Sequence, residues 1–63
     1  MTNDTYSTYV DGNKRADVIK REGSWGCVFY TDNEIIATEM YPSKSEELAE
    51  SAAENYVMGI KTI

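Results

Sequence analysis

The sequence predicts an α+β fold in which a three-stranded antiparallel meander carries one C-terminal amphipathic helix on one of its faces (βββα). Two observations lead to this prediction. Between residues 16 and 41, three runs rich in β-branched and aromatic residues are separated by turn-forming residues. After Pro42, the spacing of apolar residues changes from about 2 to about 3.6, which indicates a helix.

The first predicted strand is ADVIKR, residues 16–21, which contains two adjacent β-branched residues and ends at the turn Glu22-Gly23. The second is WGCVFYT, residues 25–31, which is richer in aromatic residues. It leads into Asp32-Asn33, and both residue types tolerate the positive φ of a two-residue hairpin loop. The third is IIATEMY, residues 35–41. These segments predict two consecutive hairpins.

The helix is predicted to follow Pro42, which ends the third strand because proline has no amide hydrogen for a sheet. Ser43-Lys44-Ser45-Glu46 matches a capping box, in which the Ser43 hydroxyl and the Glu46 carboxylate bond each other's backbone amides. Capping by Ser45 is the alternative, because the following glutamates then lie in the first turn, where the helix dipole favours negative charge.

A helical wheel over residues 45–61 divides the segment into an apolar stripe and an acidic face. The predicted buried stripe consists of Leu48, Ala49, Ala52, Ala53, Tyr56 and Ile60. The predicted outer face consists of Glu47, Glu50, Glu54, Met58 and Lys61, with Val57 at its edge. Gly59 indicates fraying or an early end of the helix.

The hairpin of residues 25–41 is apolar on both faces. A two-residue loop at Asp32-Asn33 places the pairs Phe29 and Ile36, Cys27 and Thr38, and Trp25 and Met40 on one face. Ala16 and Val18 join this face if Glu22-Gly23 is also a two-residue loop. The predicted second face carries Ile19, Val28, Tyr30, Ile35, Ala37 and Tyr41. One helix covers one face, so the second face is predicted to bind a partner through Val28, Tyr30, Ile35, Ala37 and Tyr41.

Residues 1–14 are predicted to form a flexible N-terminal arm with a short extended piece near Tyr6 to Val10, and residues 15–63 a single small domain. With 63 residues, one cysteine and no histidine, the chain has no intrachain disulfide and none of the usual zinc ligand sets. Oligomerisation is therefore the expected supplement to a small core. We expect a homodimer or another protein on the second face, and the alternative is coverage by the arm.

The net charge is −5, which argues against direct binding to nucleic acid or to an anionic membrane. No signal-peptide core and no apolar segment of membrane-spanning length is found, so we expect a cytoplasmic protein. Without histidine, the common nucleophile and base pairs are missing, and Cys27 is interpreted as a core residue. We therefore expect a non-enzymatic protein without cofactors.

The acidic helix face suggests a second function. Carboxylates on successive helical turns lie about 6 Å apart, near the spacing of phosphates along a nucleic-acid strand. Glu47, Glu50 and Glu54 could therefore imitate nucleic acid to a DNA- or RNA-binding protein. An ordinary solvated helix face is the simpler interpretation of the same residues.

The order of strand WGCVFY, turn TDNE, strand IIATEMY and helix SEELAESAAENYVMGIK resembles small proteins of tailed bacteriophages, including phages of marine cyanobacteria. These proteins end in a hairpin and an acidic helix with an Ala-Glu-Asn-aromatic segment, here residues 53–56. The resemblance covers residues 24–61 and implies a role in the cytoplasm of an infected bacterium, with no catalytic residues. It favours a small protein-binding or regulatory protein that acts on a host protein.

Overall fold

A computed structural model, which describes residues 4–63, shows a four-stranded antiparallel meander followed by one helix. The elements are β1 (Asp4–Asp11), β2 (Lys14–Arg21), β3 (Ser24–Thr31), β4 (Glu34–Tyr41) and α1 (Glu46–Val57). The α+β class, the meander and the C-terminal helix packed on the sheet are confirmed. The three-stranded sheet is wrong, because β1 adds a fourth strand.

Strand β1 occupies most of the segment that was predicted to be an arm. It pairs with β2 from Asp4↔Lys20 to Asp11↔Lys14, with one irregularity that leaves Tyr6 as an extra residue. The Tyr6 ring packs edge-on against Trp25 of β3, with 4.8 Å between the ring centroids. Residues 1–3 of the predicted arm lie outside the described residues.

Two-residue turns set the register of the inner hairpins. Both residues of Glu22-Gly23 and both residues of Asp32-Asn33 have positive φ, between 50° and 81°. This backbone matches the twist of the flanking strands. The pairs Arg21↔Ser24 and Thr31↔Glu34 close these turns, so the two-residue loop predicted at Asp32-Asn33 is confirmed and Glu22-Gly23 is a two-residue loop as well.

Helix α1 begins after Ser45, whose extended backbone (φ −87°, ψ 167°) makes it the N-cap. The helix therefore starts at the alternative position, with Glu46 and Glu47 in its first turn, and the capping box at Ser43 is wrong; the Ser45 side chain makes no capping hydrogen bond. Ser43 has a φ of 63° in the turn after β4, where the Lys44 amide donates to the Tyr41 carbonyl at 3.1 Å. The helix ends at Val57, two residues before Gly59 (φ 86°).

The core lies between α1 and one face of the sheet. Its buried members are Ala16, Val18, Cys27, Phe29, Ala49, Ala53, Tyr56 and Val57. At its centre the Phe29 and Tyr56 rings lie 4.9 Å apart. The stripe predicted for the helix is correct for Ala49, Ala53 and Tyr56. Leu48 and Ile60 are exposed instead, because α1 packs with Val57 inward and ends before Ile60.

The register predicted between β3 and β4 is wrong by one residue over most of its length. The observed pairs are Phe29↔Ala37, Cys27↔Glu39 and Trp25↔Tyr41. The ladder starts as predicted at Tyr30↔Ile35, but Ile36 is then an extra residue and the pairing shifts. A one-residue shift exchanges faces. Ala37, Glu39 and Tyr41 therefore face α1, and Thr38 and Met40 face away from it.

Candidate functional site

The candidate site is the sheet face opposite α1, called here the open face. Residues paired across neighbouring strands share a face, so the register identifies its members. They are Thr5, Thr8 and Val10 of β1, Arg15, Asp17, Ile19 and Arg21 of β2, Ser24, Gly26, Val28 and Tyr30 of β3, and Ile35, Thr38 and Met40 of β4. The remaining strand residues mostly face the helix or the turns.

A polar network occupies the β1 and β2 side of the open face. Arg15 donates from Nε and Nη2 to the two carboxylate oxygens of Asp17, at 3.1 and 3.0 Å. The Thr8 hydroxyl donates to Asp17 Oδ1 at 3.0 Å. Asp17 is only 5% exposed, and these three bonds satisfy its buried carboxylate. The bond to Asp17 raises the pKa of Arg15, which keeps the guanidinium charged.

An aromatic and apolar strip completes the open face. The Arg15 guanidinium lies 4.5 Å from the centroid of the Tyr30 ring, within the range of a cation–π contact. Ile19 and Val28 are buried, although they lie outside the helix-facing cluster. Val10 and Ile35 are 65% and 63% exposed. The centre of the open face is therefore buried, and exposed apolar side chains lie on both of its edge strands.

The predicted interaction residues divide between the two faces. Val28, Tyr30 and Ile35 lie on the open face. Ala37 and Tyr41 do not, because they pack against the helix-facing cluster after the register shift at Ile36.

Tyr41 belongs to a polar group on the helix side of the sheet. Its hydroxyl donates to Glu39 Oε1 at 2.7 Å, and Lys61 Nζ lies 3.2 Å from the same oxygen. The hydrogen bond from Tyr41 and the charge of Lys61 lower the pKa of Glu39. These contacts fix the segment that follows α1 against β4.

Sequence reasoning missed Arg15, Asp17 and Thr8 as members of the site. Opposite charges two residues apart in a strand point to the same face, but the predicted strand began at residue 16 and so left Arg15 outside, whereas β2 begins at Lys14. Thr8 gave no such signal, since its segment was interpreted as an arm.

The acidic residues of α1 do not form one solvated row. Glu47 and Glu54 are exposed, as predicted. Glu50 instead accepts hydrogen bonds from the Ser7 hydroxyl, at 2.9 Å, and from the Tyr9 hydroxyl. The bond from Tyr9 lowers the pKa of Glu50. Because Glu50 is bonded to β1, the acidic row is reduced to Glu47 and Glu54. These two residues lie about 10 Å apart along the helix axis, given a rise of about 1.5 Å per residue.

Cys27 lies in the core, where its thiol is 3.0 Å from the carbonyl oxygen of Ala49. Burial raises the pKa of the thiol to about 11, so it is protonated at neutral pH. The thiolate is the nucleophilic form of cysteine. Among residues 4–63, no three His, Cys, Asp or Glu side chains are grouped so that they could hold a metal ion.

A crevice of about 290 Å³ lies beside the open face, between the turns at Gly12-Asn13 and Asp32-Asn33. Small-molecule pockets usually measure about 300–1,000 Å³. The polar groups on its wall bond each other, because Asp32 N donates to Asn13 O at 2.9 Å and Asn13 Nδ2 to Asp32 Oδ1 at 3.2 Å. The crevice is therefore a weaker candidate than the open face.

Comparison of the chain with protein-family models, with curated proteins and with solved structures finds no match. Within the described part of the chain, no helix has the length and apolar character needed to cross a membrane.

Proposed function

We propose that this chain is a small, non-enzymatic protein-binding protein that acts through its open face. The observation that carries the proposal is the composition of that face. Arg15 stacked on Tyr30 lies between the exposed apolar side chains Val10 and Ile35. Aromatic residues, arginine and methionine are enriched in protein interfaces, whereas lysine and glutamate are depleted.

The state of the polar groups supports binding rather than catalysis. The Cys27 thiol is protonated and buried, and Asp17, Glu39 and Glu50 each accept hydrogen bonds from fixed side chains. A general base needs a free lone pair within reach of a substrate proton. The hydrogen bonds that these carboxylates accept from Arg15, Tyr41 and Ser7 stabilise the fold instead.

The resemblance of residues 24–61 to small tailed-phage proteins supports the cellular setting. We propose that the protein is phage-encoded and that it regulates a host protein in the bacterial cytoplasm. Nucleic-acid mimicry by α1 has less support, because Glu50 is bonded to β1 and the remaining pair of Glu47 and Glu54 is wider than the phosphate spacing.

The test is affinity capture from the lysate of a cyanobacterium, with three forms of the tagged full chain. Ile35→Asp places a charge on the open face, and Leu48→Asp places the same charge on the outer side of α1, where Leu48 is 42% exposed. We expect wild type and Leu48→Asp to retain the same protein and Ile35→Asp to lose it. Equal retention by all three forms would contradict the proposal.

A further inference from the structure

We infer that the open face binds the open face of a second copy of this chain, which gives an isologous dimer with α1 of each copy on the outside. This inference rests on the proposed function, because it uses the same surface, and it adds the occupant that the surface takes when the protein is alone. Four features of the structure support it.

The first feature is the distribution of charge. Both arginines, Arg15 and Arg21, lie on the open face, and its one acidic residue is Asp17, so the face carries +2 − 1 = +1. The whole chain carries −5, so all other residues together carry −6. The strand lysines lie on the other face, where Lys14 and Lys20 stand over the Tyr56 and Trp25 rings. In a symmetric dimer each face meets its own copy, so two chains bring together the least like charge when their open faces meet.

The second feature is that the carboxylate of the open face is already paired. Asp17 accepts three hydrogen bonds from Arg15 and Thr8 of its own chain. Removing a charged group from water is costly unless it is paired and hydrogen-bonded. Because Asp17 is bonded before association, a second copy can cover it without leaving an unpaired charge.

The third feature is the size of the face. A strand of eight residues is about 26 Å long at about 3.3 Å per residue. Four strands spaced about 4.8 Å apart make the sheet about 19 Å wide. Its projected area is about 500 Å² per copy. Because Asp17, Ile19 and Val28 are already buried, a dimer buries at most about 1,000 Å² in total, which lies in the range of weak interfaces. The expected dimer is therefore concentration-dependent, with a dissociation constant in the micromolar range.

The fourth feature is that the other surfaces of the sheet are less suitable. Strands β1 and β4 are the two edges, and each contains an extra residue, at Tyr6 and at Ile36. Such bulges interrupt the row of backbone groups to which a further strand would pair. The other face is covered by α1, whose outer side carries Glu46, Glu47 and Glu54. Among the surfaces formed by residues 4–63, the open face combines exposed apolar side chains with the smallest like charge toward its own copy.

The test is sedimentation equilibrium of the purified full chain from about 1 μM to about 1 mM. We expect the mass to rise from 7.1 kDa toward twice that value. Ile35→Asp and Val10→Asp should each raise the dissociation constant at least about tenfold, which is about 1.4 kcal/mol. Leu48→Asp, which adds the same charge on α1, should leave it unchanged, and circular dichroism checks that each variant is folded.

Three outcomes would overturn the inference. They are a mass of 7.1 kDa over the whole range, an equal effect of Leu48→Asp and Ile35→Asp, or growth beyond the dimer, which indicates head-to-tail contact of α1 with the open face. Strong weakening by added salt would point to the same head-to-tail contact. A monomer that still captures a host protein through Ile35 contradicts the dimer alone. A dimer that captures none contradicts the proposed function alone.

Discussion

Tyr9 of β1 donates its phenolic hydrogen to the carboxylate of Glu50 in α1, so one hydrogen bond joins the first strand of the sheet to the C-terminal helix. Ser7, two residues earlier on the same face of β1, donates to the other oxygen of Glu50 at 2.9 Å. Glu50 thus holds an edge strand that has few buried apolar side chains of its own. This contact is the source of the first two predictions.

Replacement of Glu50 by glutamine should destabilise the fold by about 1–2 kcal/mol, because hydrogen bonds to a charged acceptor are stronger than those to a neutral amide. The free energy of unfolding in urea measures the loss. Glu47→Gln is the matched control, since Glu47 is exposed on the same helix and its replacement should change stability by less than about 0.5 kcal/mol. Equal effects of the two changes would show that Glu50 does not stabilise β1.

The pair of Tyr9 and Glu50 should make stability fall at both ends of the pH scale. The pKa of Glu50 is lowered from its ordinary value of 4.5, so its contribution is complete above that pH and is lost as the pH falls below it. The bond to Glu50 raises the pKa of Tyr9 from 10.0 to about 12, so its contribution is complete below pH 10 and is lost as the pH rises toward 12.

Tyr9→Phe should therefore reduce both the acid and the alkaline loss of stability, as measured by urea unfolding at about pH 3, 7 and 11. Part of each loss should remain, because the pKa of Glu39 is also lowered and that of Tyr41 is also raised. Tyr6→Phe, in the same strand, is the control and should retain both losses in full. The prediction fails if Tyr9→Phe and Tyr6→Phe give the same pH profile.

Gly26→Ala should destabilise the fold by about 1–3 kcal/mol through overpacking. A Cβ atom at residue 26 would lie 2.5 Å from Met40 Sδ and 2.6 Å from the carbonyl oxygen of Glu39. The methionine side chain can move, but the backbone carbonyl is held in the sheet. The double variant Gly26→Ala/Met40→Ala should therefore remain less stable than Met40→Ala. Thermal unfolding of the three variants measures this difference, and equal stability of the last two would contradict it.

The Cys27 thiol should react slowly with a thiol-specific reagent in the folded protein. Burial raises its pKa to about 11 and it lies against Ala49, so both the thiolate fraction and access are small. Labelling at neutral pH should be at least about tenfold slower than in urea, where the chain is unfolded. Equal rates in the two conditions would mean that Cys27 is accessible in the native state.

Much of the fold could be predicted from local chemistry. The turns at Glu22-Gly23 and Asp32-Asn33 contain residues that tolerate positive φ, and Pro42 ends the last strand. Strand β1 was predicted only as a short extended piece of an arm, because its sequence, DTYSTYVD, is mostly polar and contains one aliphatic residue. Its inward side chains, Ser7 and Tyr9, are recognisable as inward only once their partner Glu50 is known.

The candidate site was predicted less completely, because it depends on the bulge at Ile36. A bulge adds one residue without a necessary sequence signature, and the run of Ile35, Ile36 and Ala37 is apolar in either register. The prediction therefore identified Val28, Tyr30 and Ile35 on the open face but also assigned Ala37 and Tyr41 to it. Alternation along one strand determines which residues share a face, and only pairing across strands determines which face that is.

Because Trp25 contacts Tyr6 of β1, the intrinsic fluorescence of Trp25 reports whether β1 is attached to the sheet. Trp25 is the sole tryptophan of the sequence, and the nearest aromatic ring from β1 lies 4.8 Å away. Its emission therefore records the environment of a single indole beside the first strand. Detachment of β1 changes that environment even while α1 still covers Phe29, so fluorescence can distinguish local opening of the sheet edge from unfolding of the whole domain.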